Sequence, residues 1–199
     1  MEKILSLALA YLLGSVPTGL LLSKMLKGID LREHGSKSIG ATNVFRVVGK
    51  KWGIAVLVID AFKGWLGVTL PYKIFPGFPD FFSIALAVAA LLGNTFPMWL
   101  KFKGGKGIAT SLGVFVGLVP QPALVTFGLW CIVFAVTRVL SVASLAAAFL
   151  FPFAVYFFLH GRASFRYFFV LSLCLPFFIV YTHRANIRRL LKGEEKRLI

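Results

Sequence analysis

Three stretches of the chain concentrate residues suited to gripping an oxyanion. The first runs Gly35-Ser36-Lys37-Ser38-Ile39-Gly40-Ala41-Thr42-Asn43-Val44-Phe45-Arg46. Its glycines allow close backbone approach, and its hydroxyls and backbone N–H groups suit an anion. Arg46 can take a phosphate through two parallel hydrogen bonds. Standing alone, the same residues also describe an ordinary polar connector. The second stretch is Lys101-Phe102-Lys103-Gly104-Gly105-Lys106-Gly107, leading directly into Ile108-Ala109-Thr110-Ser111. A glycine-rich turn that feeds a helix presents unsatisfied N–H groups and the positive end of the dipole to a phosphate. The spacing is not that of a nucleotide P-loop, GxxxxGK followed by serine or threonine. A basic linker resting on anionic headgroups accounts for the lysines. It accounts less well for Gly-Gly-Lys-Gly, Thr110 and Ser111, so an anion site is the better reading. The third stretch is His183-Arg184-Ala185-Asn186-Ile187-Arg188-Arg189, continuing to Lys192-Gly193-Glu194-Glu195. If helical, it sets His183 and Asn186 on one face at i, i+3, and Arg184 and Arg188 at i, i+4. Alone, it is also the basic stop that commonly follows a last membrane span.

Polar residues inside apolar runs add a second layer. Asp60 and Lys63 stand three apart, the spacing of an ion pair on one helix face. Charges within a span are costly and usually face protein or a polar cavity. The pair either orients the helices or supports a phosphate site electrostatically. Asn94 beside Gly93, and Ser141 and Ser144 just after Arg138, are polar groups that either serve chemistry or hydrogen-bond between helices. Cys131 and Cys174 form no CxxC motif, and His34, His160 and His183 lack metal-ligand spacing, so neither a disulfide framework nor a metal is expected.

The elements that must carry these residues are membrane helices. The chain has 199 residues, 58% hydrophobic and 15% charged, yet its formal net charge is +15. A soluble nucleic-acid binder would carry that charge on a polar surface, so no nucleic-acid partner is expected. A disordered basic tail would be far less apolar. One soluble core could not hide this much apolar surface. Residues Ile4–Met25, Trp52–Leu70, Phe81–Leu100, Ser141–Leu159 and Tyr167–Tyr181 read as spans, the first broken by Gly14-Ser15-Val16-Pro17-Thr18-Gly19. Residues 108–136 are apolar but divided by Pro120-Gln121-Pro122, as one kinked helix or two short ones. Cytoplasmic loops are enriched in lysine and arginine. Two helices, Ile108–Val119 and Pro122–Thr137, put sixteen basic residues on one side and four on the other; a single helix gives eleven and nine. The expected fold is therefore all-α: a polytopic membrane helix bundle of seven transmembrane helices, N-terminus outside and C-terminus cytoplasmic, as a single domain over 1–199. In that topology all three basic stretches face the cytoplasm. They suit substrates with phosphate heads, one of them carrying a hydrocarbon tail.

These ordered blocks resemble the bacterial acyl-phosphate:glycerol-3-phosphate acyltransferase family over nearly the whole chain. The resemblance rests on Gly14 to Gly19, Gly35-Ser36 through Gly40-Ala41-Thr42-Asn43 with Arg46, and Asp60-Ala61-Phe62-Lys63-Gly64. It continues through Pro97, Phe102-Lys103-Gly104-Gly105-Lys106-Gly107 with Ala109-Thr110, Ser141-Val142-Ala143-Ser144, and His183-Arg184 with Asn186-Ile187. Three positions depart from the family pattern: Asn94 stands where a histidine is usual, Ala185 where a glutamate is usual, and Ser38 where an asparagine is usual.

The resemblance implies attack of the 1-hydroxyl of glycerol 3-phosphate on the carbonyl of a fatty acyl phosphate, giving 1-acylglycerol 3-phosphate and phosphate. It implies no cofactor, a monomer embedded in the lipid bilayer of the bacterial inner membrane, and a cytoplasmic-side site. A mixed anhydride carries its own leaving group, so the enzyme mainly positions reactants and neutralises charge. By this resemblance Gly104, Gly105, Lys106, Gly107 and the following helix start, including Thr110, hold one phosphate. Ser36, Ser38, Thr42, Asn43 and Arg46 hold the acyl-phosphate head or its leaving group. Lys106, His183 and Asn186 line the reaction centre, Asn186 donating to the oxyanion and His183 orienting the nucleophile or acting as base; the substrate phosphate is an alternative proton acceptor. Ser141 and Ser144 are further candidates, and Lys103 and Arg184 attract anions. The rival readings are a transporter for a phosphorylated anionic solute and a non-catalytic lipid-binding scaffold.

Overall fold

The computed structural model describes residues 1–198, and these contain helices and turns with no β-strand. They pack as two compact units, residues 1–117 and residues from 118 onward.

In the first unit, α1 (Glu2–Ser15) stops at Val16-Pro17, and α2 (Thr18–Lys27) resumes beyond it. Proline cannot donate to the preceding turn, which is why the apolar run breaks there. A short 3-10 turn (Leu31–Glu33) and α3 (Ala41–Val47) form the first polar loop. Helix α4 (Lys50–Ile74) follows, then α5 (Phe82–Thr95), a 3-10 turn (Met98–Leu100) and α6 (Ile108–Leu118). The end of α5 is tied to α1: the Tyr11 hydroxyl donates to the Phe96 carbonyl at 2.7 Å, and Trp99 Nε1 donates to Ser15 Oγ at 2.7 Å. Helices α4 and α6 meet backbone to backbone. A β-carbon added to Gly113 would stand 1.7 Å from the Ala61 carbonyl oxygen, so only glycine allows the crossing.

The second unit contains α7 (Pro120–Thr137), α8 (Leu140–Leu159), α9 (Phe165–Thr182) and α10 (Arg184–Leu191). Pro120 opens α7 at the first helical position, where its missing N–H costs nothing. Residues 108–136 are thus two helices, the first one residue shorter than expected and the second beginning two residues earlier.

Six segments are long and apolar enough to cross a bilayer: Glu2–Lys27, Lys50–Ile74, Phe82–Leu100, Pro120–Thr137, Leu140–Leu159 and Phe165–Thr182. Helix α6 is apolar but has only 11 residues. Large apolar side chains face outward on these helices, among them Ile54, Phe62, Ile132, Phe153, Phe157 and Phe177. On a soluble protein such faces would aggregate; against lipid they are in their own solvent.

Candidate active site

The first polar loop is organised by one side chain. Asn43 is wholly buried, and its Oδ1 accepts from the Ser36 backbone N–H at 2.9 Å. Its Nδ2 group shares two hydrogens among the carbonyls of His34 (2.9 Å), Ser38 (2.8 Å) and Leu31 (3.2 Å). An amide so committed inward shapes the loop; its polar atoms face the protein's own backbone. Ser36 and Arg46 lie on the exposed side, with Ser38 and Thr42 half-buried. Asp30 is occupied by Arg32, which binds it at 2.6 Å and holds its carboxyl well below the usual range, while the His34 ring takes the Asp30 carbonyl at 2.9 Å. Asp30 and His34 therefore form no carboxylate–imidazole relay.

Backbone hydrogen bonds hold the glycine-rich turn against the end of α5. Gly104 N–H donates to the Thr95 carbonyl at 2.9 Å, and Gly105 N–H to the Asn94 carbonyl at 3.0 Å. Lys101 and Phe102 both take left-handed conformations, φ 52° and 59°, to turn the chain back onto the end of α5. Gly107, at φ 80°, then starts α6, its carbonyl accepting the first helical bond from Ser111 N–H at 2.7 Å. The N–H groups of Ile108, Ala109 and Thr110, ahead of that bond, are those a helix leaves without intrahelical partners. Thr110 Oγ1 and Ser111 Oγ are buried beside them, with no hydrogen-bond partner among the described residues. Lys103 is exposed and Lys106 half-buried in the same turn. N–H groups, hydroxyls and cationic charge gathered in this way have the chemistry to bind an oxyanion.

In the second unit, His183 ends α9 and begins α10, with Asn186 one turn further. Both are buried, whereas Arg184, Ala185 and Arg188 are exposed, so the i, i+3 face read from the sequence exists. His183 Nδ1 lies 3.0 Å from the Ile179 carbonyl. It must donate there, which assigns the basic lone pair of the neutral ring to Nε2. Arg184 packs over the Tyr181 ring and donates to the Tyr181 carbonyl at 2.9 Å. Ser144 accepts from Trp130 Nε1 at 3.3 Å and donates to the Leu140 carbonyl at 2.8 Å, a link between α7 and α8.

One residue in this region was missed by sequence reasoning. Glu195, on the tail after α10, accepts from Ser141 Oγ at 2.9 Å, from Asn186 Nδ2, and from Arg189 Nε at 2.6 Å. It therefore joins two candidate residues 45 positions apart, Ser141 and Asn186, and fixes which way the Asn186 amide points. Burial alone would raise its carboxyl, but the hydrogen bonds from Asn186, Arg189 and Ser141 and the Arg189 charge outweigh it and hold it below the usual glutamate range. A carboxyl lowered in the folded state stabilises above its ordinary range, and that contribution disappears as pH falls through the lowered value. Glu195→Gln is therefore expected to lower stability by about 1 kcal/mol, since the Arg189 side of the cluster is open to solvent and its charge is screened. It should also abolish the acid-side loss of stability assigned to this carboxyl, read by thermal unfolding across an acidic pH series.

The family model described as "Glycerol-3-phosphate acyltransferase" matches residues 4–193. A Myxococcus xanthus protein of that name is 47% identical over 193 residues, covering 95% of this chain and 96% of its own. The chain belongs to the glycerol-3-phosphate acyltransferase family. A Fusobacterium nucleatum glycerol-3-phosphate acyltransferase is 41% identical over 191 residues, covering 96% of this acyltransferase and 95% of itself. The crystal structure of PlsY (YgiH), an integral membrane glycerol 3-phosphate acyltransferase, in its glycerol 3-phosphate form, is 36% identical with a TM-score of 0.86; the match covers 99% of this acyltransferase and 96% of that chain. Its lysophosphatidic acid form matches with the same TM-score and identity, covering 99% and 95%. With six candidate spans and this neighbour, the acyltransferase is a multi-span membrane enzyme.

Proposed function

We propose that this enzyme moves a fatty acyl group from acyl phosphate to the 1-hydroxyl of glycerol 3-phosphate, releasing lysophosphatidic acid and inorganic phosphate. The observation that supports it most directly is the backbone-held Gly104–Gly107 turn opening α6, with buried Thr110 and Ser111 hydroxyls that no described residue engages. Lys106, Gly104, Gly105, Gly107 and Thr110 bind one phosphate, with Lys103 drawing anions to the turn. Ser36, Ser38, Thr42 and Arg46 bind the acyl-phosphate head, on a loop that Asn43 shapes from beneath. As the hydroxyl oxygen bonds to the acyl carbon, the carbonyl becomes an oxyanion stabilised by the Asn186 amide and cationic charge. The proton passes to His183 Nε2 or to a substrate phosphate, and the C–O bond to phosphate breaks. Ser141 and Ser144 support the region around Asn186, and Arg184 attracts the anionic reactants.

The finer topology follows the charge asymmetry. Seven crossings, α6 being the short one, put the N-terminus outside and the C-terminus in the cytoplasm of a bacterial inner membrane. The chain works there as a monomeric single domain, with the chemistry on the cytoplasmic side. The deciding assay supplies palmitoyl phosphate and glycerol 3-phosphate to detergent-solubilised protein. Lysophosphatidic acid and phosphate should appear in equal amounts. Failure to form product at high enzyme concentration would discard catalysis in favour of transport of a phosphorylated solute.

A further inference from the structure

Lys63 is buried within α4 and Asp60 half-buried, and each has a specific partner at the break between α1 and α2. Lys63 Nζ lies 2.8 Å from Asp60 Oδ1 and also donates to the Val16 carbonyl at 2.8 Å. Thr18 Oγ1 donates to the same Asp60 oxygen. Val16 and Thr18 flank Pro17, the point where helix α1 has ended and α2 has not begun. At membrane depth, backbone groups freed by such a break need protein partners. The ion pair supplies one to Val16 and cancels its own charge in doing so.

The consequence travels along α2. Gly19, the residue after Thr18, packs so closely on the first polar loop that an added β-carbon would stand 2.1 Å from the Ile39 carbonyl oxygen and 3.1 Å from Val44 Cγ2. Ile39 follows Ser38, and Val44 follows Asn43, so α2 is the floor of the loop that bears Ser36, Ser38, Thr42 and Arg46. The same turn of α4 also meets α6. A β-carbon added to Gly64 would stand 2.3 Å from the Thr110 carbonyl oxygen. One turn of α4, residues 60–64, therefore sets both the floor of the loop and the first turn of α6.

We propose that Asp60, Lys63 and Thr18 are positioning residues that fix the acyl-phosphate-binding loop through α2, without touching substrate. This rests on the function proposed above. An apolar replacement of similar volume could fill the same space, but it would leave the Val16 carbonyl without Lys63 and α2 without its anchor.

The test is Thr18→Val, which deletes one hydroxyl and keeps the shape, alongside Thr18→Ser, which keeps the hydroxyl, and Asp60→Asn. Thr18→Val should raise KM for palmitoyl phosphate about tenfold, as expected for a lost hydrogen bond to a charged group. Its kcat and its KM for glycerol 3-phosphate should stay at wild-type values, Thr18→Ser should restore KM, and Asp60→Asn should act in the same direction. An active wild type with an unchanged KM for palmitoyl phosphate in Thr18→Val overturns this inference alone. So does a fall in kcat and thermal stability with both KM values unchanged, which is the signature of a merely structural pair. A wild type that forms no lysophosphatidic acid overturns the proposed function and this inference with it. Because Thr18→Val adds no charge, its result stands even where Asp60→Asn fails to fold.

Discussion

Lys106→Ala is expected to lower kcat by about a hundred- to a thousandfold, the usual effect of removing one group that stabilises transition-state charge. In the proposed reaction both reactants carry phosphate, so bringing them together accumulates negative charge that the chain must offset. Lys106 sits between Gly105 and Gly107, two residues before α6 begins, where the helix dipole has the same sign as its ammonium. The turn owes its shape to backbone bonds of Gly104 and Gly105. A thermal unfolding curve of the variant, run beside its kinetics, separates lost chemistry from lost structure. Lys106→Arg keeps the charge but replaces a compact ammonium by a wide planar fork, and should recover part of the activity. Normal turnover in Lys106→Ala, measured as release of lysophosphatidic acid, would remove this turn from the chemistry.

Gly104→Ala should be nearly as damaging for a different reason. The added methyl would stand 2.2 Å from the Asn94 carbonyl oxygen, 2.4 Å from Pro97 Cδ and 2.7 Å from the Thr95 carbonyl oxygen. Two of these neighbours are backbone and the third is a ring, so none can swing away. The turn must lift off the end of α5 and lose the bonds from Gly104 and Gly105. Displacing a binding element by about 1 Å can cost about a hundredfold in rate, and the overpacking itself about 1–3 kcal/mol. Gly128→Ala is the matched control. Nothing lies within 4 Å of that position, inside α7, so the methyl meets no clash and stability there should hold or rise by up to about 1 kcal/mol. Parallel kinetics and unfolding curves for the two variants check this; a wild-type rate in Gly104→Ala would show that the turn yields.

What the sequence revealed well was local. The Asp60–Lys63 pair was legible because helical geometry brings i and i+3 together, and the ion pair is there at 2.8 Å. The division of residues 108–136 was legible from proline chemistry and charge asymmetry, and α6 and α7 are separate helices. The family resemblance read from ordered blocks agrees with the family match and with the curated relatives. Contacts between distant segments were not legible. No spacing rule links Glu195 to Ser141, 54 residues away, or Lys63 to Val16, 47 residues away. A glutamate among the basic residues of the tail was the only hint of the first. Asn43 shows a different limit. A loop asparagine among hydroxyls and an arginine looks like a ligand-binding group, and only the folded path shows its amide spent on four backbone partners.

The way the turn meets α5 has an evolutionary consequence. Gly104 and Gly105 are hung on the carbonyls of Thr95 and Asn94, atoms that every amino acid possesses. Position 94 can thus drift between an amide and an imidazole without disturbing the cradle's outline. Its side chain still abuts Gly105, where an added β-carbon would stand 3.1 Å from Asn94 Nδ2. Selection is left a dial beside the glycine-rich turn that retunes polarity while the scaffold stays put.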